Sequence, residues 1–212
     1  MRKDFLVYNS TPCDSDDFAN LLMLSSPRLF PALFGTKATD ILKLLFRHRH
    51  NLFSFQHCCF IKMGSRNAGM ALSYDWQTAK RARLKTGLLL FKYLKAGLFA
   101  RLSTLLRVNA ILGEIEDGEY YISNLAVYPE YQGKGLGTRL LRMAEDKARE
   151  FGASRIVLDV EAGNKDAIRL YKKIGYTVAT ELREIGVGKE RLRFLRMIKL
   201  LAPRAFRSSS AE

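Results

Sequence analysis

Three glycines spaced two apart, Gly133, Gly135 and Gly137, lie in the stretch Gln132-Gly133-Lys134-Gly135-Leu136-Gly137-Thr138. Residues of this kind do anion chemistry through the backbone. Without a Cβ, the chain can lie close against a ligand and adopt φ > 0. The stretch that follows, Arg139-Leu140-Leu141-Arg142-Met143-Ala144-Glu145, has apolar residues at helical spacing. The loop therefore opens a helix whose first N–H groups lack partners and carry the positive end of the macrodipole. Such an arrangement cradles a pyrophosphate. Two widespread phosphate loops do not fit it. A G-x-x-x-x-G-K-[ST] loop needs Ser or Thr after its lysine, and Gly135 follows Lys134 here. A dinucleotide fingerprint needs G-x-G-x-x-G, and this loop is G-x-G-x-G.

A third pattern fits: Q/R-x-x-G-x-G/A, placed after a strand that ends in Ala-Val. Gln132 to Gly137 satisfies it, and Ile122 to Val127 reads as that strand, with a turn at Pro129 between them. A second, independent block is Asn164-Lys165-Asp166-Ala167-Ile168-Arg169-Leu170-Tyr171-Lys172-Lys173-Ile174-Gly175-Tyr176, which matches N-x-x-A-x-x-L-Y-x-x-x-G-F/Y. With both blocks in order and correctly spaced, the sequence resembles the GNAT family of N-acetyltransferases. The likeness is specific over residues 119–176 and fainter outside them.

The resemblance implies an α/β (α+β) fold: a mixed, mostly antiparallel central sheet, flanked by helices and splayed between its fourth and fifth strands, here Tyr120–Val127 and Arg155–Val160. It implies acetyl-CoA as acyl donor, with an amine acceptor attacking directly in a ternary complex and no metal. Pantetheine would enter the splay and bond to Leu125, Ala126 and Val127 much as an added strand would. Gln132, Gly133, Lys134, Gly135, Leu136, Gly137 and Thr138 would hold the pyrophosphate, with Lys134, Arg139 and Arg142 neutralising charge. Asn164 and Ala167 would meet the pantetheine arm, Asn164 also serving as a helix cap.

Thioester aminolysis needs two proton movements, because an ammonium must lose a proton before attack and a thiolate leaves more easily when protonated. Tyr171 occupies the family's acid position, and a phenol can donate a hydrogen bond to sulfur. For the base, the resemblance offers Asp159, twelve residues before Tyr171, where some relatives carry a longer glutamate; a bridging water would make up the length. Glu119, at the mouth of the preceding strand, is the other candidate, and Glu161 shares a strand face with Asp159. A CoA-binding module without catalysis, sensing or structural, is the alternative reading.

The elements that position these residues follow from periodicity and punctuation. Arg139 to Phe151 is a helix stopped at Gly152, Ile156–Val160 a buried strand, and Asn164 to Ile174 a helix ended by Gly175. Upstream, Phe5–Tyr8 is a short strand, Ser15-Asp16-Asp17 caps a helix through Met23, and Thr39-Asp40 starts another carrying Ile41, Leu44 and Leu45. Phe53–Met63 and Ala68–Tyr74 form a hairpin about Gly64–Asn67, and Tyr176 to about Glu184 pairs with Arg191–Leu200. Between the third and fourth strands comes a helical insertion, about 77–112. From Gln77 to Ala110 it holds eight basic residues and no acidic one, with Leu84, Phe91, Leu98 and Leu105 every seventh residue and an interruption near Gly97. Its apolar stripe should cover the domain or a homodimer partner; a substrate lid or membrane contact are the rival uses.

Residues 1–202 are thus expected to form one acyltransferase domain, with 203–212 a basic disordered tail. The chain has 35 basic and 21 acidic residues, a formal charge of +14, and this favours anionic partners. It disfavours polyamines as acceptors and suits acidic peptides or other anionic amines. No nucleic-acid motif accompanies the charge. Cys13, Cys58 and Cys59 follow no C-x-x-C spacing and are read as reduced thiols. His48 and His50, two apart on a helix, do not share a face and make a poor metal pair. Without a signal sequence or an apolar run long enough to span a bilayer, the expected location is cytoplasmic.

Overall fold

The computed structural model describes residues 5–94, 108, 111–181 and 184–202. A seven-stranded sheet runs through it in the order β1-β2-β3-β4-β5-β9-β6. Its strands are β1 (Phe5–Asn9), β2 (Cys58–Met63), β3 (Arg66–Asp75), β4 (Glu119–Val127), β5 (Arg155–Glu161), β6 (Thr177–Glu181) and β9 (Phe194–Leu200). Only β4 and β5 run parallel; all other neighbours are antiparallel. A separate hairpin, β7 (Ile185–Val187) with β8 (Glu190–Leu192), interrupts the β6–β9 connection.

Strand side chains alternate between two helical layers, as period-two geometry demands. Met70, Leu72, Tyr74, Tyr121 and Val157 join one core with the N-terminal helices. Tyr120, Ile122, Ile156 and Leu158 face the opposite layer. The first layer holds α1 (Ser15–Ser25), α2 (Leu29–Phe34), α3 (Ala38–Arg47) and α4 (Trp76–Leu94). The second holds α5 (Leu136–Glu150) and α6 (Lys165–Lys173).

In α1, Phe18, Leu21 and Leu22 recur on one face and are fully buried, and Phe18 stacks on Phe46 of α3 with centroids 4.2 Å apart. Each such side chain stabilises the fold by roughly 1.5–3 kcal/mol. On α3 the buried set is Ala38, Ile41, Leu42, Leu45 and Phe46, with Leu42 taking the inward place expected of Leu44. The second strand starts at Cys58 rather than Phe53. Ser54 accepts from the Gln56 N–H and turns Phe55–His57 into a 3-10 helix, which removes that segment from the ladder.

α4 follows β3 without a loop. Asp75 accepts from the Thr78 N–H at 2.9 Å and from its hydroxyl at 2.6 Å, which satisfies the helix start. Its inward face is made of the smaller residues Ala79, Ala82 and Thr86, with Leu89. Leu84 and Phe91, expected to face the domain or a partner, are 73% and 59% exposed. Within the described part of α4 it is the small residues that pack inward, where they allow a close approach to the sheet. The interruption near Gly97, Leu98, Leu105 and the tail from Pro203 lie outside the described residues.

Candidate active site

β4 and β5 pair from Glu119↔Arg155 to Ile122↔Leu158 and then separate, although both strands continue. Their outer edges stay paired beyond that point, β4 with β3 as far as Gly69↔Val127 and β5 with β9 as far as Glu161↔Phe194. The opening is therefore a splay within the sheet. It begins at an irregularity: Leu72 faces Asn124 and Ser73 faces Ile122, so Ser123 is an extra residue on β4. A bulge of this kind bends its strand and re-aims the side chains beside it. The gap is a cleft of about 520 Å³, lined among others by Leu125, Ala126, Val127, Asn164, Ala167 and Tyr171. Strand backbone freed from its neighbour needs a partner, and a ligand arm lying in the splay would supply one.

At the C-terminal end of β4 lies the glycine loop. Gly133 and Gly135 have φ of 72° and 80°, the left-handed region that side-chain-bearing residues avoid. Gly135 is also the N-cap of α5, where no side chain caps the helix and the first turn holds no acidic residue. The N–H groups opening α5 thus face a positive, uncapped end. Gly137 has a different reason: a Cβ there would come within 3.1 Å of Leu170 on α6. Gln132 donates from Nε2 to the Val127 carbonyl at 3.0 Å and so holds the loop against the strand end. Gln132, Gly133, Gly135, Leu136, Gly137 and Thr138 all line the cleft. Lys134 instead turns back, donating to the Glu130 carbonyl at 2.6 Å with its ammonium over the Tyr131 ring.

Asn164 caps α6 by accepting from the Ala167 N–H at 3.1 Å. A cap uses only its carbonyl oxygen, leaving the amide donors to the cleft. Tyr171 is 7% exposed, and burial pushes its phenol up to about 12. It is therefore a neutral donor at physiological pH, and among the described residues its hydroxyl makes no hydrogen bond.

The three carboxylates are placed differently. Asp159, with a side chain only 2% exposed, accepts from Arg196 Nε at 2.9 Å and Nη2 at 3.0 Å, from the Gly113 N–H at 3.0 Å and from the Tyr121 hydroxyl at 3.1 Å. Oδ2 takes three of these donors and Oδ1 one, so the carboxylate is held at both oxygens. The hydrogen bond to Asp159 raises Arg196 above its ordinary value, and burial followed by the Asp159 charge raises Tyr121. Glu119 lies at the far end of β4, outside the cleft, 2.7 Å from Arg155 and accepting from the Glu116 N–H. Glu161 lines the cleft and pairs with Arg28.

A second pocket of about 380 Å³ opens on the other side of the splay. Ser26, Ser123, Asn124, Asp159 and Phe194 line both cavities, so the two meet there. Phe30, Leu33, Phe34, Phe53 and Leu90 supply its apolar wall, and Arg83, Tyr74 and Tyr121 its polar groups. Burial pushes Tyr74 up to about 12. Sequence reasoning missed all of these except Asp159. Only the basic insertion left a signal, since α4 does form one wall of this pocket.

The comparisons with known proteins agree with this geometry. Residues 28–176 match the model of the acetyltransferase (GNAT) family, and the chain belongs to that family. A curated relative, the L-methionine sulfoximine/L-methionine sulfone acetyltransferase of Salmonella typhimurium, is 40% identical over 73 residues, 34% of this chain and 43% of that protein. The chain thus spans less than half the length of that relative. Among solved structures, an N-acetyltransferase from Staphylococcus aureus Mu50 superposes with a TM-score of 0.70 at 21% identity, covering 92% of this chain and 100% of that one. The yncA structure from Salmonella typhimurium, solved with its cofactor acetyl-CoA, gives 0.60 at 19% identity, covering 95% of this chain and 96% of that one. Both share the mixed, mostly antiparallel sheet flanked by helices. No helix among the described residues is long and apolar enough to cross a membrane.

Proposed function

We propose that residues 1–202 form one N-acetyltransferase domain that moves an acetyl group from acetyl-CoA to an amine. The observation that carries this reading is the junction of the two cavities: a donor cleft running from the glycine loop to Tyr171 meets a separate pocket at Ser123, Asn124 and Asp159. Family membership and the acetyl-CoA of the yncA structure support the choice of donor.

In this reading the pyrophosphate rests on the N–H groups that open α5, and pantetheine lies along Leu125–Val127. The amine nitrogen attacks the thioester carbonyl carbon from the second pocket. As the C–N bond forms, the C–S bond breaks and the Tyr171 hydroxyl gives its proton to the departing sulfur. Tyr171 is reprotonated from water and the nitrogen loses a proton to water, so the net transfer is one proton from nitrogen to sulfur. Lys134, held on the Glu130 carbonyl, contributes charge only at the loop's rim.

Asp159 we assign to positioning rather than base chemistry, because its lone pairs already hold Arg196, Tyr121 and the Gly113 backbone in place. Glu119, outside both cavities, is assigned to the Arg155 ion pair. The test is thiol release from acetyl-CoA across a panel of amines, with Tyr171→Phe beside the wild type. Turnover lost with acetyl-CoA affinity retained supports the enzyme. Affinity without turnover in the wild type supports a non-catalytic CoA-binding module instead.

A further inference from the structure

The second pocket has a polarity that selects among amines. Its wall is apolar and broad, formed by Phe30, Leu33, Phe34, Phe53, Leu90 and Phe194, and its volume of about 380 Å³ exceeds what the amine group alone requires. Gly87 widens it: this glycine lies inside α4, lines the pocket, and a Cβ added there would meet nothing within 4 Å. A mid-helix glycine weakens its helix, and here it leaves room for a ligand.

The pocket's charges are unequal. Among the described residues lining it, Asp159 is the one carboxylate, and Arg196 neutralises it through two hydrogen bonds. Arg83 is the one Lys or Arg, and among the described residues it pairs with no carboxylate. One of its N–H groups donates to the Gly113 carbonyl at 2.8 Å, leaving the rest of the fork open. Gly113 in turn donates its N–H to Asp159 at 3.0 Å. A single residue therefore links the guanidinium to the carboxylate at the cavity junction, and Arg83 also acts on the Tyr74 phenol. Arg83 thus lines the same pocket as the junction residues and is tied to Asp159 through Gly113.

We propose that the acceptor is an α-amino acid with a large apolar side chain, its carboxylate bound by Arg83 and its side chain filling the pocket between α2 and α4. The inference rests on the acetyltransferase reading above. An α-amino acid carries its carboxylate beside its amine, so one molecule in this pocket can meet Arg83 with the carboxylate and turn the amine toward the junction. A peptide N-terminus has an uncharged amide there and leaves Arg83 unanswered. Polyamines bring a second cation toward it. The product is the N-acetyl amino acid, formed by the same C–N for C–S exchange.

The test is thiol release by the full chain with L-phenylalanine, L-methionine, glycine, L-glutamate, spermidine, phenethylamine and a peptide with N-terminal Phe, alongside calorimetry of acetyl-CoA. The apolar amino acids should exceed glycine and glutamate in kcat/KM by about tenfold or more, the worth of burying one large side chain. In Arg83→Gln the kcat/KM ratio of phenylalanine to phenethylamine should fall about tenfold, as for loss of one charge-assisted hydrogen bond, with partial recovery in Arg83→Lys. Gly87→Phe should raise the phenylalanine KM while acetyl-CoA affinity stays unchanged. Equal rates with glycine, better rates with spermidine or the peptide, or an Arg83→Gln loss shared equally by phenethylamine would each overturn the inference alone. An acetyl-CoA complex with no turnover of any amine also overturns it. Absence of acetyl-CoA binding removes the acetyltransferase reading beneath it.

Discussion

The two cavities that meet at Ser123 are built by opposite means. The cleft between β4 and β5, proposed above for the donor, owes its form to backbone: a splay begun by one extra residue on β4, two left-handed glycines, and the uncapped start of α5. The second pocket is made of side-chain shape, drawn from α2, the segment before β2, α4 and β9. Backbone sites demand particular residues at particular spacings and so tolerate little change. Shape sites need only volume and polarity, which many sequences supply. On the proposed reading, this division lets the donor site stay fixed while the acceptor pocket varies.

That contrast can be broken at several points, and Tyr171→Phe has the largest expected effect. Removing the hydroxyl should lower kcat by about 10²–10⁴-fold, the usual worth of an acid in flight, with acetyl-CoA affinity unchanged. A small effect would move the acid elsewhere in the cleft.

Asp159→Asn comes next, and it separates positioning from base chemistry. It should destabilise the protein by about 3 kcal/mol, because Arg196, with a side chain 15% exposed, loses its counter-charge. Unfolding in urea reads this directly. An unchanged midpoint with lost turnover would return Asp159 to the role of base.

Gly135→Val should follow, with about 1–2 kcal/mol of backbone strain from placing a β-branched residue at a φ of 80°. Its acetyl-CoA affinity should fall while the second pocket still excludes or admits amines as before. The smallest effect is expected from Gly87→Ala, which should raise stability by up to about 1 kcal/mol through helix propensity alone and leave the donor untouched.

Alkaline pH probes both cavities together. Tyr171 and Tyr74 are raised by burial from 10.0 to about 12, so each favours the folded state most below pH 10. That contribution is lost as pH rises from 10 to 12, because the unfolded chain ionises first. A urea midpoint that falls more steeply over this window in the wild type than in Tyr171→Phe is the expected result.

Legibility in the sequence followed the same division. The left-handed turns of the glycine loop and the Asn164 cap were readable because backbone geometry and capping restrict the residue type there, whereas Tyr171 was named only through the family likeness. The splay followed from the family likeness, whereas the bulge at Ser123 that starts it left no local signal, since a one-residue register shift depends on the partner strand. Asp159 was found, but its four donors come from Gly113, Tyr121 and Arg196, far apart in the chain and joined only by the fold. The second pocket was the least visible. Phe30, Phe53 and Phe194 come from separate elements and carry no local mark of a shared pocket, and Leu84 and Phe91, which drew attention on α4, lie outside its lining. The small residues that pack inward on α4, Ala79 and Ala82, carry little hydrophobic signal despite being buried. Lys134 was expected at the phosphates from its place in the motif, and only the structure shows it turned to the Glu130 carbonyl.

The most direct single measurement is calorimetric titration of the protein with acetyl-CoA, repeated with Gly135→Val. The account predicts one-to-one binding with a dissociation constant on the order of micromolar, weakened in the variant. No binding to the wild-type chain, or equal affinity in both proteins, would contradict the assignment of the β4–β5 cleft as the donor site.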